Sequence, residues 1–117
     1  MKEILNEIIS DRRGTNVFTT IKRHKAMVSY TKKGYYRGGD YHNCDQLFYV
    51  IKGRVKYWIK IKGKEKVMIL KEGDMYIAKA SNPHLIKALM DVVFLEVFLG
   101  KDTNTFYYEE YRKRVLK

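Results

Sequence analysis

The chain has 117 residues, 45% of them hydrophobic, which suits one domain of ordinary size with a real core. Its 24 lysines and arginines against 13 acids leave a net charge of +11, a balance that attracts anions (nucleic acid, phosphorylated metabolites, an anionic membrane surface) without choosing among them. A lone Cys44 excludes an intramolecular disulfide, no apolar run reaches the roughly 18 residues of a membrane span, and the polar start from Met1 to Glu7 lacks the apolar centre of a signal peptide; the expectation is a cytoplasmic protein with no membrane partner.

Lys2 to Ser10 carries Ile4, Leu5, Ile8 and Ile9 and suits either a short helix or an edge strand. Asp11 to Gly14 is a turn. Val17 to Lys22 and Ala26 to Thr31 are rich in β-branched and aromatic residues and predict strands. His24, set between lysines, is expected in an exposed turn. Lys32-Lys33-Gly34 breaks the pattern, and Tyr35-Tyr36 leads into the stretch Arg37 to Gly53.

Arg54 to Lys62 alternates, with Val55, Tyr57, Ile59 and Ile61 facing one way and Arg54, Lys56, Trp58, Lys60 and Lys62 the other. This predicts a strand with one buried and one wet face. Gly63-Lys64 suits a tight turn, and Val67 to Leu70 returns as the second arm of a hairpin. Met75 to Lys79, Leu85 to Leu89 and Val92 to Leu99 predict further strands, with Ala80 to Pro83 as the loop that delivers His84. The tail from Thr105 to Lys117 carries Phe106, Tyr107, Tyr108 and Tyr111 and is expected as a closing helix or an aromatic strap. About nine short strands, with glycine turns, no linker and no repeat, predict a single all-β domain over residues 1–117, built as an antiparallel sandwich or barrel.

The chemistry concentrates in Arg37 to Gly53. On an extended chain Asp40 and His42 face the same side, and Gln46 keeps that parity. Three polar groups aimed inward beside the apolar run Leu47 to Ile51 are costly unless they bind one another, a metal or a substrate.

The spacing Asp40-x-His42, Gln46, Gly53, followed by Gly73-Asp74 and His84, resembles the two motifs of the cupin superfamily of small β-barrels. That resemblance covers about residues 14–99 and implies a single cupin (double-stranded β-helix, jelly-roll) barrel with short terminal helical segments. Asp11-x-Arg13-Gly14 and Arg37-Gly38-Gly39-Asp40-Tyr41-His42 resemble segments of deoxythymidine-diphosphate-sugar epimerases and the related 3,4-ketoisomerases, as does the character of the tail from Phe106 to Tyr111. This branch implies proton transfer on a keto-sugar nucleotide, with His42 and Asp40 as catalytic acid or base and an anionic nucleotide sugar as partner.

Arg37, Tyr41, Tyr49, Gln46 and Glu96 are then the candidate substrate-binding residues, with Arg37 at the cavity mouth. A metal-binding cupin is the alternative: Asp40, His42, Gln46 and His84 offer a ligand set for one divalent ion, Fe, Mn, Ni or Zn. A non-catalytic ligand-binding cupin is a further one. The face carrying Arg54, Lys56, Trp58, Lys60 and Lys62 combines cations with an aromatic, but a solvated face or a homodimer contact around Trp58 and the N-terminal segment accounts for it better than nucleic acid. Cys44 shares the parity of His42 and reads as a small buried residue.

Overall fold

The computed structural model describes residues 7–101 and 103–116. Its strands are β1 (Glu7–Asp11), β2 (Gly14–Ile21), β3 (His24–Thr31), β4 (Tyr36–His42), β5 (Gln46–Lys52) and β6 (Arg54–Ile61), then β7 (Lys64–Lys71), β8 (Met75–Ala78), β9 (His84–Ala88), β10 (Val92–Phe98) and β11 (Thr105–Tyr107). One helix, α1 (Glu109–Val115), follows. One sheet runs β1-β2-β3-β10-β5-β8 and the other β11-β4-β9-β6-β7. Every pairing is antiparallel. Strands far apart in the chain are neighbours in each sheet, as in a jelly roll.

The inner faces meet in a core of Phe48, Val50, Val55, Tyr57, Ile59, Ile86 and Phe94. Alternation along β6 buries Val55, Tyr57 and Ile59 as expected, while Ile61, at the strand's end, is exposed. The wet face departs from expectation at Trp58, which is only 8% exposed. It packs with Leu85, Tyr111 and Val115, because α1 lies across the outer face of β6 and β9. Its own chain covers the ring, and Lys56 and Arg114 lie over it.

At the N-terminus the edge strand is what forms: Glu7 to Asp11 pairs with β2, and residues 2–6 lie outside the described residues. The tail supplies both expected devices. β11 adds to the edge of β4 and α1 closes over it. Glu109 and Glu110 in the first turn of α1, and Arg112, Lys113 and Arg114 in the last, match the sign of the helix dipole at each end. His24 is half-buried instead of exposed, its Nδ1 lying 3.1 Å from the Phe98 carbonyl.

One irregularity in β4 positions everything that follows. Arg37 pairs with Ile86 and Gly38 with Leu85, but the next partner pair is Asp40 with His84. Gly39 is the extra residue of a β-bulge. Gly38 and Gly39 have φ of 86° and 75°, a region that L side chains rarely adopt. Simple alternation would send Arg37 to the face opposite Asp40 and His42. The extra residue shifts the phase by one and puts all three on the same side.

Space as well as backbone angle requires glycine here: a Cβ on Gly39 would lie 2.8 Å from Arg112 Cα and 3.0 Å from its backbone nitrogen. The backbone also ties α1 down, with Tyr108 N–H donating to the Gly39 carbonyl at 2.9 Å. Gly39→Ala is therefore expected to lower stability by about 1–3 kcal/mol and to lift α1 from Trp58, shifting its fluorescence to the red. Unchanged melting and emission would show that the close approach is not needed.

Candidate functional site

The bulge brings Asp40 and His42 on β4 against His84 on β9. One ligand atom from each lies within 4.8 Å of the other two. Asp40 Oδ1 is 3.5 Å from His42 Nε2 and 3.3 Å from His84 Nε2. Both rings are buried, His42 at 5% and His84 at 2% exposure.

Each imidazole is held from behind. His42 Nδ1 lies 3.0 Å from Thr105 Oγ1 on β11, and His84 Nδ1 lies 3.4 Å from the Asn82 carbonyl in the loop before β9. Phe98 meets the His42 ring edge-on at 4.9 Å, and Tyr57 stacks parallel to His84 at 6.0 Å. Such contacts fix ring orientation, and the Asn82 carbonyl also fixes the tautomer of His84.

The tautomer has a consequence. A carbonyl only accepts, so His84 Nδ1 must carry the proton that faces Asn82. Burial lowers the pKa of His84 to about 4, with Asn82 opposing, so near neutral pH the ring is neutral and Nε2 is a bare lone pair. His42 is likewise lowered to about 4, mainly by burial and also by His84, with Asp40 opposing. Burial raises the pKa of Asp40, against the pull of His42 and Arg112. The His84 lone pair therefore faces a carboxyl oxygen, with His42 Nε2 beside it. A proton on Asp40 can serve one imidazole; a divalent cation can serve all three groups. Aspartate oxygen with two imidazoles is also a donor set such ions accept, so the residues present fit a metal.

Beside the triad lies a cavity of about 230 Å³, lined by Arg13, Asn16, Arg37, Asp40, His42 and Glu96 among others. Thr105 and Arg112 from the tail also line it. Arg37 is 5% exposed, so it stands within the wall and not at the mouth as expected. Its Nε donates to Thr31 Oγ1 at 2.9 Å, but its Nη2 is buried with no partner among the described residues. Burial and the neighbouring Arg13 lower its pKa, while Asp11 and Glu96 raise it.

Glu96, on β10 between β3 and β5, faces the same cavity. That strand is interior to its sheet. Gln46 donates its amide N–H to Glu96 Oε2. Burial, helped by the charge of Asp40, pushes the Glu96 pKa up to about 8, with Gln46 and Arg37 pulling the other way. A neutral acid near pH 7 thus sits beside a buried guanidinium.

The expected residues separate into groups. Asp40, His42, His84, Arg37 and Glu96 come together, with Gln46 joined to them through Glu96. Tyr41 stacks instead on Phe106 at 5.4 Å, across the β4–β11 pair. Tyr49 lies between Leu95 and Met75 on the face of β5 opposite the buried Phe48 and Val50. Neither tyrosine is among the cavity-lining residues. Cys44 is half-buried, 3.6 Å from Thr103 Oγ1, and is not part of the ligand cluster.

Sequence reasoning did not find Thr105, Arg112, Asn16, Ser29 or Thr31. For Ser29 and Thr31 the residue types pointed the other way. They are buried while Tyr30 between them is 52% exposed, an inversion of the usual small-polar-out, aromatic-in pattern.

No curated protein matches the sequence at a significant level. Among solved structures, a two-residue deletion mutant of Bacillus subtilis oxalate decarboxylase superposes with a TM-score of 0.78 at 23% identity, covering 87% of this chain and 30% of that one. A tryptophan-to-tyrosine variant of the enzyme gives 0.73 at 24% identity, covering 80% and 27%. A serine-to-alanine mutant gives 0.79 at 22% identity, covering 87% and 30%. This chain thus spans less than a third of the length of those proteins, and the likeness is one of fold.

These findings overturn the expected kinship with sugar-nucleotide epimerases and ketoisomerases. The matched structures are oxalate decarboxylases, and the site agrees with the correction. A space of about 230 Å³ lies below the range of ordinary ligand pockets, let alone one for a nucleotide sugar. An imidazole lowered to about 4 is also poorly matched to general-base work near neutral pH. The cupin domain profile matches residues 26–98, more than half of the 117-residue sequence, and the chain belongs to the cupin domain family.

Proposed function

We propose that this cupin domain binds one divalent metal ion through Asp40, His42 and His84 and holds a small carboxylate beside it. The observation that carries the metal reading is the meeting of Asp40 Oδ1 with two imidazole Nε2 atoms at 3.5 and 3.3 Å, both rings being kept neutral by burial. The Mn(II) centres named for Bacillus subtilis oxalate decarboxylase favour manganese among Fe, Mn, Ni and Zn. Gln46 acts in this reading through Glu96, to which its amide is committed.

The bound ion would supply Lewis-acid polarisation of a carboxylate oxygen. The remaining chemistry belongs to the chain. Arg37, cationic and buried, offers its unpartnered Nη2 to an anion. Glu96 retains a proton near neutral pH and can give it to a ligand in the same cavity. The positive surface draws anions toward the barrel. Oxalate belongs to the carboxylate class and fits the cavity's scale. The proton on Glu96 favours turnover over a purely passive binding module.

Calorimetric titration of tag-free, chelator-treated protein with Mn(II) is expected to give about one equivalent bound, and His84→Ala or Asp40→Asn to reduce the affinity at least about tenfold. Stoichiometry far below one, or unchanged affinity in both variants, would defeat the metal reading.

Arg37→Met tests the anion role. A buried cation with an unused donor detracts from stability, so this variant is expected to melt no lower than the native protein and yet to lose carboxylate binding. Retained binding would remove Arg37 from the site.

Metal-free protein should also show a characteristic dependence of stability on pH. The two histidines, lowered in the fold to about 4 from 6.5, give stability that is present above pH 6.5 and lost as pH falls toward 4. Glu96, raised from 4.5 to about 8, gives stability that is present below pH 4.5 and lost as pH rises through 8. Asp40, raised from 3.8 by burial, acts in the same sense as Glu96 over the acid part of that window; with two histidines opposing them, the melting temperature is expected to peak near pH 6.5. Glu96→Gln should flatten the alkaline limb; an unchanged limb would show that Glu96 is not the titrating group.

A further inference from the structure

Inside the barrel a polar track crosses β2 and β3 and ends in the cavity. Asn16 stands opposite Ser29 in the β2–β3 ladder. Ser29 Oγ is 2.8 Å from Thr31 Oγ1, and Thr31 Oγ1 accepts from Arg37 Nε at 2.9 Å. Ser29 is fully buried and Thr31 is 3% exposed. The two hydroxyls are therefore occupied within the track, but its ends are not. Arg37 Nη2 is a buried donor without an acceptor, and Asn16 Oδ1 is a buried acceptor without a donor.

Both residues line the cavity that also holds Asp40, His42 and Glu96. A barrel of this size could have filled these inward positions with apolar side chains. Two unmet groups of opposite kind in one small space cost stability unless a ligand meets both. An anion such as formate or oxalate would answer Arg37 and leave Asn16 unmet.

The geometry points to a ligand that carries a hydrogen-bond donor next to its carboxylate, a 2-hydroxycarboxylate in the simplest form, with Arg37 Nη2 taking the carboxylate and Asn16 Oδ1 accepting from the hydroxyl. This rests on the carboxylate reading of the site and narrows its substrate class. It makes Asn16, on a strand that contributes no metal ligand, the residue that sets specificity. The small volume limits the rest of the ligand to a few heavy atoms.

The test is calorimetric binding of three probes to the Mn(II)-loaded protein: acetate, glycolate and methoxyacetate. Methoxyacetate keeps the second oxygen, and so the capacity to chelate, but has no proton to give. Glycolate is expected to bind about tenfold more tightly than either of the others, the worth of one buried hydrogen bond. Asn16→Leu, with melting checked alongside, should remove that preference and bring glycolate to the affinity of methoxyacetate.

Equal affinity for acetate and glycolate would overturn the hydroxyl site and leave the carboxylate reading standing. So would a glycolate preference that methoxyacetate shares or that survives in Asn16→Leu, since chelation alone explains it. If Asn16→Leu does not fold, the ratio of glycolate to methoxyacetate in the native protein decides. No binding of any probe would overturn the hydroxyl site and the carboxylate reading together.

Discussion

A single inserted residue in one strand organises this molecule. Gly39 interrupts the β4–β9 register just before Asp40 meets His84. Without the bulge, Arg37 would face away from Asp40 and His42. With it, a cation, a carboxyl and an imidazole point into one small space, and His84 completes the set from the neighbouring strand. The same glycine leaves room for α1 to lie directly on the backbone of β4. The tail can then send Thr105 to the back of His42 and Arg112 to the cavity wall.

The site is an arrangement of groups that do not satisfy one another. A neutral His84 presents a lone pair to a carboxyl oxygen, a buried guanidinium holds an unused donor, and a glutamic acid keeps its proton near neutral pH. The surrounding barrel tolerates this because its core is otherwise apolar and closed around Phe48, Tyr57, Ile59 and Phe94. Stability supplied by that core holds in place a site that detracts from it. Ligands that meet these groups would be stabilising, by the same linkage that makes the unmet groups destabilising.

Much of the fold was legible in the sequence because short strands with period-two alternation and glycine turns leave few architectures open. The spacing of Asp40, His42, Gly53, Gly73 and His84 carried the barrel and all three members of the triad, since ligands on adjacent strands depend on register. Three features escaped. Trp58 alternates with buried residues and so looked wet; a tertiary contact with a helix fifty residues later covers it. Arg37 looked peripheral because alternation is blind to a bulge unless the paired glycines are taken as one. Gln46 kept the parity of a ligand, yet its partner is Glu96, fifty residues away in the chain. The sugar-nucleotide kinship rested on short segments around Arg13 and Arg37. Those residues do line the cavity, but at about 230 Å³ it is small for a ligand of that size.

The central claim is that one cation is held by two imidazoles and a carboxylate from β4 and β9. Pulsed electron–nuclear double resonance on Mn(II)-loaded protein labelled with ¹⁵N in its histidines addresses it most directly. The account predicts couplings from two histidine nitrogens, one of which disappears in His84→Ala while the other remains. A spectrum without histidine ¹⁵N coupling, or one that His84→Ala leaves unaltered, would contradict it.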